Sequence, residues 1–528
     1  MVLKIDFMKR AVFILGLVAA LAVATNGLAQ QQDYETGQEC TSIMVGRLAS
    51  TDGSVITSHT CDGVSHTWIS IEKAADHKKG EVQKVYRGIR RTRFKGDTVG
   101  VVCTGEIPQA RHTYAYLNTG YPSLNEKQVA IGETTFSGPD TLKNPDGMLM
   151  IEEMARIALQ RCDNARSAVK LMGSLAEEYG YGDGGECLTV ADKNEVWCFE
   201  IVGCGKGKKG AVWAAQRVPD DHVSISANIP RIGKIDRKDK DHFMASDNVE
   251  KVALEYGLWD GNGEFKFYKA YHGNYGDGKN FRERDFYVLS TLAPSLGLTY
   301  DMEELPFSVK PDEKVDVRKV MELFRNTFEG TQFDMCRNWL IEVPAKGDKP
   351  AYKKTSPVAN PWLTADTRNT LNTIAPGTVE FARTLAVAWC SYSTVLQLRS
   401  WLPDEVGGIL WYAVDNPAES PRIPIFAGAQ SLPSGFDFCG QKEFREDCIL
   451  WQFRKANRLA TVAWQKSRNR VASEIKAVEE LAFEEVAKLG AKSTAEERDA
   501  VTARIYQEGV KRWRKMEEDF WMSYGRSF

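Results

Sequence analysis

Two β-rich segments joined by an Asp-Gly turn are the feature that most constrains how this chain begins to fold. The segments are CTSIMVGRL at residues 40–48 and SVITSH at residues 54–59, and Thr-Asp-Gly lies between them at residues 51–53. An Asp-Gly pair between two strand-forming runs is typical of a tight β-hairpin. The pattern therefore predicts that the two segments pair as antiparallel strands.

The open end of this hairpin carries a cysteine. Residues equidistant from a hairpin turn face one another, so Cys40 is expected near residues 62–66, within reach of Asp62 and not far from His59. A thiol attacks an amide only as a thiolate, or with a base close enough to take its proton. If the chain is cut between Glu39 and Cys40, the freed α-amine, with a pKa of about 8, becomes such a base. The spacing alone favours a different interpretation, a structural cysteine that begins a strand.

Strand and helix patterns alternate from the hairpin to about residue 300. Strand-like runs follow at residues 99–103, 129–131, 187–190, 195–201 and 223–227. Apolar residues at helical spacing predict helices at residues 148–160, 165–179 and 315–328. The alternation predicts mixed α and β layers in one elaborated domain, since no internal repeat or obvious linker interrupts the chain.

The chain ends in long helical stretches rich in Ala, Glu, Lys and Arg. The sequence STAE at residues 493–496 is typical of a capping box that opens the last helix. Trp513, Phe520 and Trp521 in that helix are expected to pack against the body of the protein rather than bind a ligand. The pattern predicts a helical C-terminal extension over residues 447–528.

The residues before the hairpin differ in composition from the rest. A basic pair at residues 9–10 precedes an apolar run at residues 11–24, and small residues follow at 27 and 29. This pattern predicts a secretory signal peptide over residues 1–29, and hence export to the periplasm or the outside medium. The run is shorter than the ~20 apolar residues that span a bilayer, and no second candidate span follows. The polar, glutamine-rich residues 30–39 are interpreted as a pro-segment.

Composition excludes other classes of function. The formal net charge is −3 and no long Lys/Arg run is present, so the chain lacks the electrostatic signature of a nucleic-acid-binding protein. The seven histidines show no zinc-binding spacing and C-x-x-C is absent, so we expect neither a metal nor an organic cofactor. One free nucleophile would leave an even number of the eleven cysteines to pair, but unpaired buried cysteines are equally compatible with a chain of this size. The oligomeric state stays open, a homo-oligomer included.

A series of short motifs runs in a fixed order along most of the chain. It begins with CTSIMVG at residues 40–46 and the D-G-S of the hairpin at residues 52–54. Further segments lie at residues 124–131 (LNEKQVAI), 227–232 (ANIPRI), 289–295, 328–331, 399–403, 407–411 and 424–428. In order and spacing they resemble the dipeptidase A family of N-terminal-nucleophile cysteine peptidases, which is related to cholylglycine hydrolase and penicillin V acylase. The resemblance covers roughly residues 40–430.

The resemblance implies roles for individual residues. Cys40 matches the family's nucleophile, and Asp62 stands at the position of an acidic residue that would orient the α-amine. Asn125 and Asn228 resemble two asparagines that line the nucleophile and oxyanion site in related amidases, where one amide donor can be worth ~3 kcal/mol. The alternative for each is a turn residue that satisfies its own backbone. Arg284 is similar to an arginine used near the nucleophile, and its alternative is an ordinary surface arginine.

One position departs from the family pattern. Family members commonly carry an arginine near the end of the second strand, in an A-R-x-x-D context, whereas this chain has SHTCD at residues 58–62. His59 thus replaces an always-charged guanidinium by a ring that is mostly neutral at pH 7. We assign His59 to substrate binding and expect the change to affect specificity. The activity class is unaffected, since nucleophile and base both belong to Cys40.

The resemblance implies an α+β fold, the four-layer αββα sandwich of N-terminal-nucleophile hydrolases, over residues 40–446, followed by the helical extension. It implies an exported cysteine dipeptidase that acts on small peptides through the thiol of Cys40, with the freed α-amine as base. Two alternatives stay open. One is an acylase or amidase on the same scaffold, acting on N-acyl amino acids, bile-acid conjugates or penicillins. The other is a non-catalytic exported binding protein whose Cys40 is structural.

Overall fold

The computed structural model describes residues 40–273 and 282–524. The predicted signal peptide and pro-segment, residues 1–29 and 30–39, lie outside the described residues. Among the helices of the described residues, none is both long enough and apolar enough to cross a membrane.

Strands and helices alternate along the chain, and their bounds are as follows. The strands up to residue 135 are β1 Ser42–Val45, β2 Val55–Asp62, β3 Ser70–Glu72, β4 Ala75–Asp76, β5 Val82–Arg87, β6 Val102–Pro108, β7 His112–Thr113, β8 Tyr116–Asn118, β9 Leu124–Asn125 and β10 Ala130–Thr135. The later strands are β11 Glu186–Ala191, β12 Val196–Gly203, β13 Ala211–Arg217, β14 Val223–Ser226, β15 Phe243–Ala245, β16 Ser308–Val309, β17 Leu340–Val343, β18 Tyr352–Thr355, β19 Cys390–Leu398, β20 Gly408–Val414 and β21 Ile423–Phe426. The helices are α1 Ile151–Arg161, α2 Ala165–Tyr179, α3 Val249–Glu255, α4 Phe267–Tyr271, α5 Arg282–Leu292, α6 Val317–Phe324, α7 Ala365–Ile374, α8 Asp404–Gly407, α9 Ile449–Val462, α10 Trp464–Lys488 and α11 Ala495–Tyr524.

A seven-stranded sheet, here called the first sheet, contains the N-terminal hairpin. Its strand order is β16-β14-β1-β2-β19-β20-β21. β1 and β2 pair antiparallel with Val45 opposite Ile56, which confirms the predicted hairpin. Every residue of both strands is buried, because the sheet is covered on its two faces.

The register of the hairpin differs slightly from the prediction. Thr41 pairs with Thr60, so Cys40 comes opposite Cys61 rather than opposite residues 62–66. The chain reverses before the Asp-Gly pair, because the residues after β1 already form a turn closed by backbone hydrogen bonds of 3.0 and 3.2 Å. The shift still leaves the nucleophile beside the end of β2.

An eight-stranded sheet, here called the second sheet, lies against the first. Its strand order is β15-β13-β12-β11-β10-β9-β8-β3. Thr57 of β2 donates to Thr189 Oγ1 of β11 at 2.7 Å, from one sheet to the other. Where β10 faces β2, Gly132 has no side chain, and a Cβ there would lie 2.1 Å from the carbonyl oxygen of Ser58. The glycine therefore permits the close approach that brings β10 next to β1.

Helices pack against both sheets. α2 contacts β11, β12 and β13 of the second sheet, while α5, α6, α9, α10 and α11 each contact strands of the first. α2 has the bounds that the sequence predicted, and the side chain of Asn164 caps it by accepting from the N–H of Ser167 at 2.8 Å. Two antiparallel sheets with separately packed helices make the α+β class expected from the sequence.

The last three helices pack on one another and on the edge of the first sheet. Trp513 is fully buried and Phe520 nearly so, as expected, but Trp521 is 52% exposed. The capping box of α11 lies one residue later than predicted and is formed by Thr494 and Glu497. Thr494 Oγ1 accepts a hydrogen bond from the N–H of Glu497 at 3.3 Å. The carboxylate of Glu497 accepts one from the N–H of Thr494 at 2.8 Å.

Candidate active site

Cys40 lies directly before β1 and is 1% exposed. The N–H of Asp62 donates a hydrogen bond to its sulfur, and the carboxyl group of Glu133 forms another with it. Burial raises the pKa of the Cys40 thiol well above its usual value, and the charge of Glu133 raises it further. The thiol is therefore protonated at neutral pH and needs a base before it can attack.

Arg284 of α5 holds the main chain of the nucleophile. Its buried guanidinium donates through Nη1 to the carbonyl oxygen of Cys40 and to Thr41 Oγ1, both at 2.8 Å. Through Nη2 it donates to the carbonyl oxygen of Ala227 and to Asn228 Oδ1, both at 2.9 Å. A rigid guanidinium can fix several acceptors at once, so Arg284 positions the backbone of Cys40. At 0% exposure, it is not the surface arginine of the alternative interpretation.

Asn228 reaches the same point from the neighbouring strand. β14 pairs with β1 with Ser226 opposite Ser42, so Asn228 follows opposite Cys40. Its backbone has a φ of 63°, in the left-handed region that asparagine tolerates better than most residues. Its Nδ2 donates to the carbonyl oxygen of Thr135 at 2.5 Å. The structure thus brings an asparagine amide to the nucleophile.

Asp62 ends β2 and forms a buried ion pair with Arg383, which lies in the connection before β19. Each residue is 2% exposed, and a carboxylate at such a position stays charged only with a cationic or hydrogen-bonding partner. Arg383 follows Asp62 by 321 residues, and no motif marks it in the sequence. The ion pair fixes an acidic side chain beside Cys40, whose sulfur the N–H of Asp62 also contacts.

Asn125, unlike Asn228, uses its whole side-chain amide to bind backbone groups away from Cys40. Its Nδ2 donates to the carbonyl oxygens of Leu159 and Cys162, at the end of α1, at 2.8 and 2.9 Å. Its Oδ1 accepts from the N–H groups of Lys127 and Val129 at 3.0 and 2.8 Å. Since both amide hydrogens are taken by backbone, none remains for an oxyanion. Asn125 ties the turn after β9 to α1, which is the turn role that the sequence left as an alternative.

His59 lies on β2 with its ring buried. Nδ1 is 2.7 Å from the carbonyl oxygen of Glu133 and 3.2 Å from the nitrogen of the same residue, and the shorter contact assigns the ring hydrogen to Nδ1. Burial lowers the pKa of His59 to about 4, so the ring is neutral at pH 7. In this tautomer Nε2 carries a lone pair, and it has no hydrogen-bond partner among the described residues.

A buried glutamate next to the thiol, Glu133, and a second one hydrogen-bonded to it, Glu186, were not singled out by the sequence motifs. Glu133 is on β10 and Glu186 on β11, and their carboxyl groups share a hydrogen bond. Burial raises the pKa of Glu186 well above its usual range, and the charge of Glu133 raises it further. A proton shared by the pair leaves about one negative charge on it. Glutamates within otherwise apolar, buried strands are the signal by which a sequence could reveal such a pair.

Two clusters in the described part of the chain bring metal-binding atoms together. They are Cys40 with His59 and Glu133, and Cys187 with Cys198 and Glu200. Within each cluster the ligand atoms lie within 4.8 Å of one another. The sulfurs of Cys187 and Cys198 are 3.4 Å apart and unbonded, and all eleven cysteines, each within the described residues, are free thiols. The first cluster could not be predicted from local spacing, because its members come from three separate segments, whereas in the second Cys198 and Glu200 are two residues apart on β12 and only Cys187 comes from another strand, β11.

Comparison with known proteins identifies the family. The description "Peptidase family C69" matches residues 39–477. The chain is 24% identical over 410 residues to a "Probable dipeptidase" of Latilactobacillus sakei, covering 74% of each chain. It is 24% identical over 463 residues to "Probable dipeptidase B" of Streptococcus pyogenes serotype M1, covering 83% of this chain and 82% of the relative. It is 22% identical over 440 residues to "Dipeptidase A" of Lactobacillus helveticus, covering 78% and 80%.

These matches confirm the resemblance to the dipeptidase A family. The family match begins one residue before Cys40 and runs past residue 446 into α10. It therefore includes both sheets and every residue of the site described above. Because the match covers most of the chain, this protein belongs to peptidase family C69.

Proposed function

We propose that this peptidase is an exported cysteine dipeptidase of the N-terminal-nucleophile type. It hydrolyses dipeptides with the thiol of Cys40, and the α-amine freed by cleavage after Glu39 is the base. The names of the relatives, each a dipeptidase, support the substrate class. The two antiparallel sheets in contact, with helices against both, support the αββα sandwich of that superfamily.

The observation that carries the proposal is the weakness of the neighbouring imidazole as a base. His59 adjoins Cys40, but with a pKa of about 4 it is a poor acceptor for the proton of a thiol whose pKa is raised. A free α-amine has a pKa of about 8 and is a far stronger base. Once protonated, it is also a cation beside the sulfur and stabilises the thiolate. The α-amine of Cys40 therefore meets the requirement that His59 does not.

Processing creates this base. The signal peptide at residues 1–29 is removed on export. The thiol of Cys40 then attacks the carbonyl of Glu39, which gives a thioester and frees the amine, and water hydrolyses the thioester to release residues 30–39. In the mature enzyme the amine takes the thiol proton, directly or through a water, and the thiolate attacks the peptide carbonyl of the substrate. Water then hydrolyses the acyl-enzyme, and the chemistry requires no metal or organic cofactor.

The buried residues around Cys40 position the reacting groups. Arg284 fixes the carbonyl of Cys40, and with it the directions of the amine and the sulfur. Asp62 orients the amine, and Arg383 keeps that carboxylate charged. Asn228, opposite Cys40, donates to the oxyanion together with backbone N–H groups.

The intact mass and N-terminal sequence of the purified, exported protein test the proposal first. We expect a chain that begins at Cys40 and hydrolyses dipeptides. Cys40→Ala is expected to retain the residues before position 40 and to lose about 10⁴-fold or more in kcat, because it has neither nucleophile nor self-cleavage. Cys103→Ser, at an exposed thiol, is the matched control and is expected to change neither property.

Two outcomes contradict the proposal. A chain that begins near Gln30 and stays so on long incubation leaves Cys40 without its amine, and supports the non-catalytic binding protein. A processed chain that cleaves N-acyl amino acids but no dipeptide supports the acylase alternative.

A further inference from the structure

A pair of carboxyl groups lies beside the nucleophile, and the mechanism above does not use it. Glu133 is 0% and Glu186 is 1% exposed. Their strands pair with Thr135 opposite Glu186, and the two carboxyl groups share a hydrogen bond. A carboxylate oxygen of Glu133, a ring nitrogen of His59 and the sulfur of Cys40 lie within 4.8 Å of one another. Glu133 therefore lies next to the atom that attacks the substrate, and Glu186 is hydrogen-bonded to it.

This cluster has acceptor atoms that the described residues leave unused. Nε2 of His59 meets no donor there, and, apart from the proton that the two carboxyls share and the Cys40 thiol beside Glu133, neither does Oε2 of Glu133 or Oε2 of Glu186. The side chains are nevertheless held in place. Thr135 Oγ1 donates to Glu133 Oε1 at 3.0 Å, and Nδ1 of His59 is 2.7 Å from the carbonyl oxygen of Glu133. Buried acceptors are normally paired, so a fixed group of unused ones points to a ligand that donates.

An ammonium group matches these acceptors in number and in charge. It has three N–H donors, and its single positive charge balances the one negative charge of a carboxyl pair that shares a proton. A carboxylate would instead bring like charge to the same atoms, and an acyl group would bury them without donors. The departure at position 59 is consistent with this ligand: an arginine there would supply the protein's own cation, whereas neutral His59 leaves the carboxyl pair for a ligand.

The distance to the nucleophile also fits the first residue of a peptide. In an amino acid the amine nitrogen and the carbonyl carbon are about 2.5 Å apart, as the N–Cα and Cα–C bonds and their angle require. A carbonyl carbon poised for attack lies about 3–3.5 Å from the nucleophilic atom. Since the Glu133 oxygen and the Cys40 sulfur are at most 4.8 Å apart, an amine bonded to Glu133 is one residue away from the bond that is cut.

We propose that Glu133, Glu186 and His59 form the subsite for the free α-ammonium group of the substrate. The inference rests on the proposed dipeptidase function and adds a requirement to it: the substrate has an unacylated N-terminus. An N-acyl substrate is rejected because its amide brings a single N–H donor and no positive charge, which would leave the carboxyl pair buried without a counter-charge.

Hydrolysis of alanyl-alanine and of N-acetyl-alanyl-alanine tests the subsite. The wild-type enzyme is expected to prefer the free amine by at least about 10³-fold in kcat/KM. Glu186→Gln keeps the shape of the side chain and replaces one carboxyl oxygen by an amide nitrogen, which donates hydrogen bonds and cannot accept one from the ammonium group. It is expected to lower kcat/KM for alanyl-alanine about 10- to 100-fold, mainly through KM, and to leave N-acetyl-alanyl-alanine unchanged within about twofold.

Glu419→Gln is the matched control. Glu419 is also fully buried, its pKa is also raised, and its Oε1 has no hydrogen-bond partner among the described residues. Its Oε2 accepts a hydrogen bond from Asn416, in the connection between β20 and β21. We expect this variant to retain the wild-type preference between the two substrates. Glu133→Gln serves as the second test variant, and the intact mass establishes that each chain begins at Cys40.

The outcomes separate the subsite from the function on which it rests. An equal loss on both substrates in Glu186→Gln, or a wild-type enzyme that cleaves both equally well, overturns the subsite and leaves the dipeptidase function standing. If neither glutamine variant yields a processed chain, the pair serves maturation, and the subsite is overturned as well. A wild-type enzyme that cleaves no dipeptide overturns the proposed function itself.

Discussion

His59 makes the protein less stable in acid because its ring is buried in the uncharged form. Its pKa is about 4 in the folded protein, against 6.5 for an unperturbed histidine. Between these values the unfolded chain binds more protons than the folded one, so lowering the pH favours unfolding. The contribution to the free energy of unfolding is complete above about pH 6.5 and is lost as the pH falls towards 4.

Replacing His59 by glutamine tests this linkage. Between pH 7 and pH 4 we expect the free energy of unfolding of His59→Gln to fall by about 3 kcal/mol less than that of the wild type, since glutamine does not titrate. Urea unfolding at the two pH values measures the difference. His112→Gln, at a half-exposed histidine, is the control and is expected to follow the wild type. An equal fall in wild type and His59→Gln would contradict the buried, neutral ring.

How far a sequence reveals a site residue depends on how the residue reaches the site. Cys40 and Asp62 come together through a hairpin, whose pairing follows from its turn and strand pattern. Glu133 contacts His59 from 74 residues away, and Arg383 contacts Asp62 from 321 residues away. These contacts arise from the packing of one sheet on another and from a long connection, and no local pattern specifies either. Asn125 shows the converse, since its motif is family-like but its amide serves a turn.

β10 reaches the site because the residue before Glu133 is a glycine. We expect Gly132→Ala to lower the free energy of unfolding by about 1–3 kcal/mol and to lower kcat/KM, because β10 must move away from the carbonyl oxygen of Ser58. Thermal unfolding and dipeptide hydrolysis measure the two effects. Gly233→Ala is the control, since a Cβ there meets nothing within 4 Å. Wild-type stability in Gly132→Ala would contradict a tight contact between the sheets.

The helices and strands that are easiest to predict are those whose first and last residues carry a distinct sequence signal. α2 was predicted with the correct bounds, because Asn164 caps its start and Gly180 follows its end. The strand predicted at residues 99–103 begins only at Val102, because Gly100 has a φ of 77° and the N–H of Val101 closes a turn on the carbonyl oxygen of Thr98 at 3.1 Å. In the valine-rich sequence of residues 99–103, the glycine is the only residue that indicates such a turn.

Across the whole molecule, the C-terminal helices share a hydrophobic core with the first sheet. Trp513 is fully buried, and its Nε1 donates to Asn457 Oδ1 at 2.8 Å. Trp513→Ala is expected to lower the free energy of unfolding by about 3–5 kcal/mol. Trp521→Ala, on the same helix but 52% exposed, is the control and is expected to change it by less than about 0.5 kcal/mol. Urea unfolding measures both.

The shape of the same unfolding curves tests the prediction of one elaborated domain. If the helices and the sheets form one cooperative unit, the wild type and both tryptophan variants unfold in one transition, and Trp513→Ala shifts its midpoint. A separate early transition in Trp513→Ala would show that the residues after 446 unfold by themselves.

The hydrogen bond from Arg284 to the carbonyl of Cys40 also has a consequence for timing. It joins residues 244 positions apart, so a chain that is still leaving the ribosome lacks it until α5 has emerged. The self-cleavage proposed above depends on this geometry, so it would wait until most of the polypeptide has been made and folded. In the proposed mechanism the precursor therefore has no free amine at Cys40, and no dipeptidase activity, until that point in its synthesis.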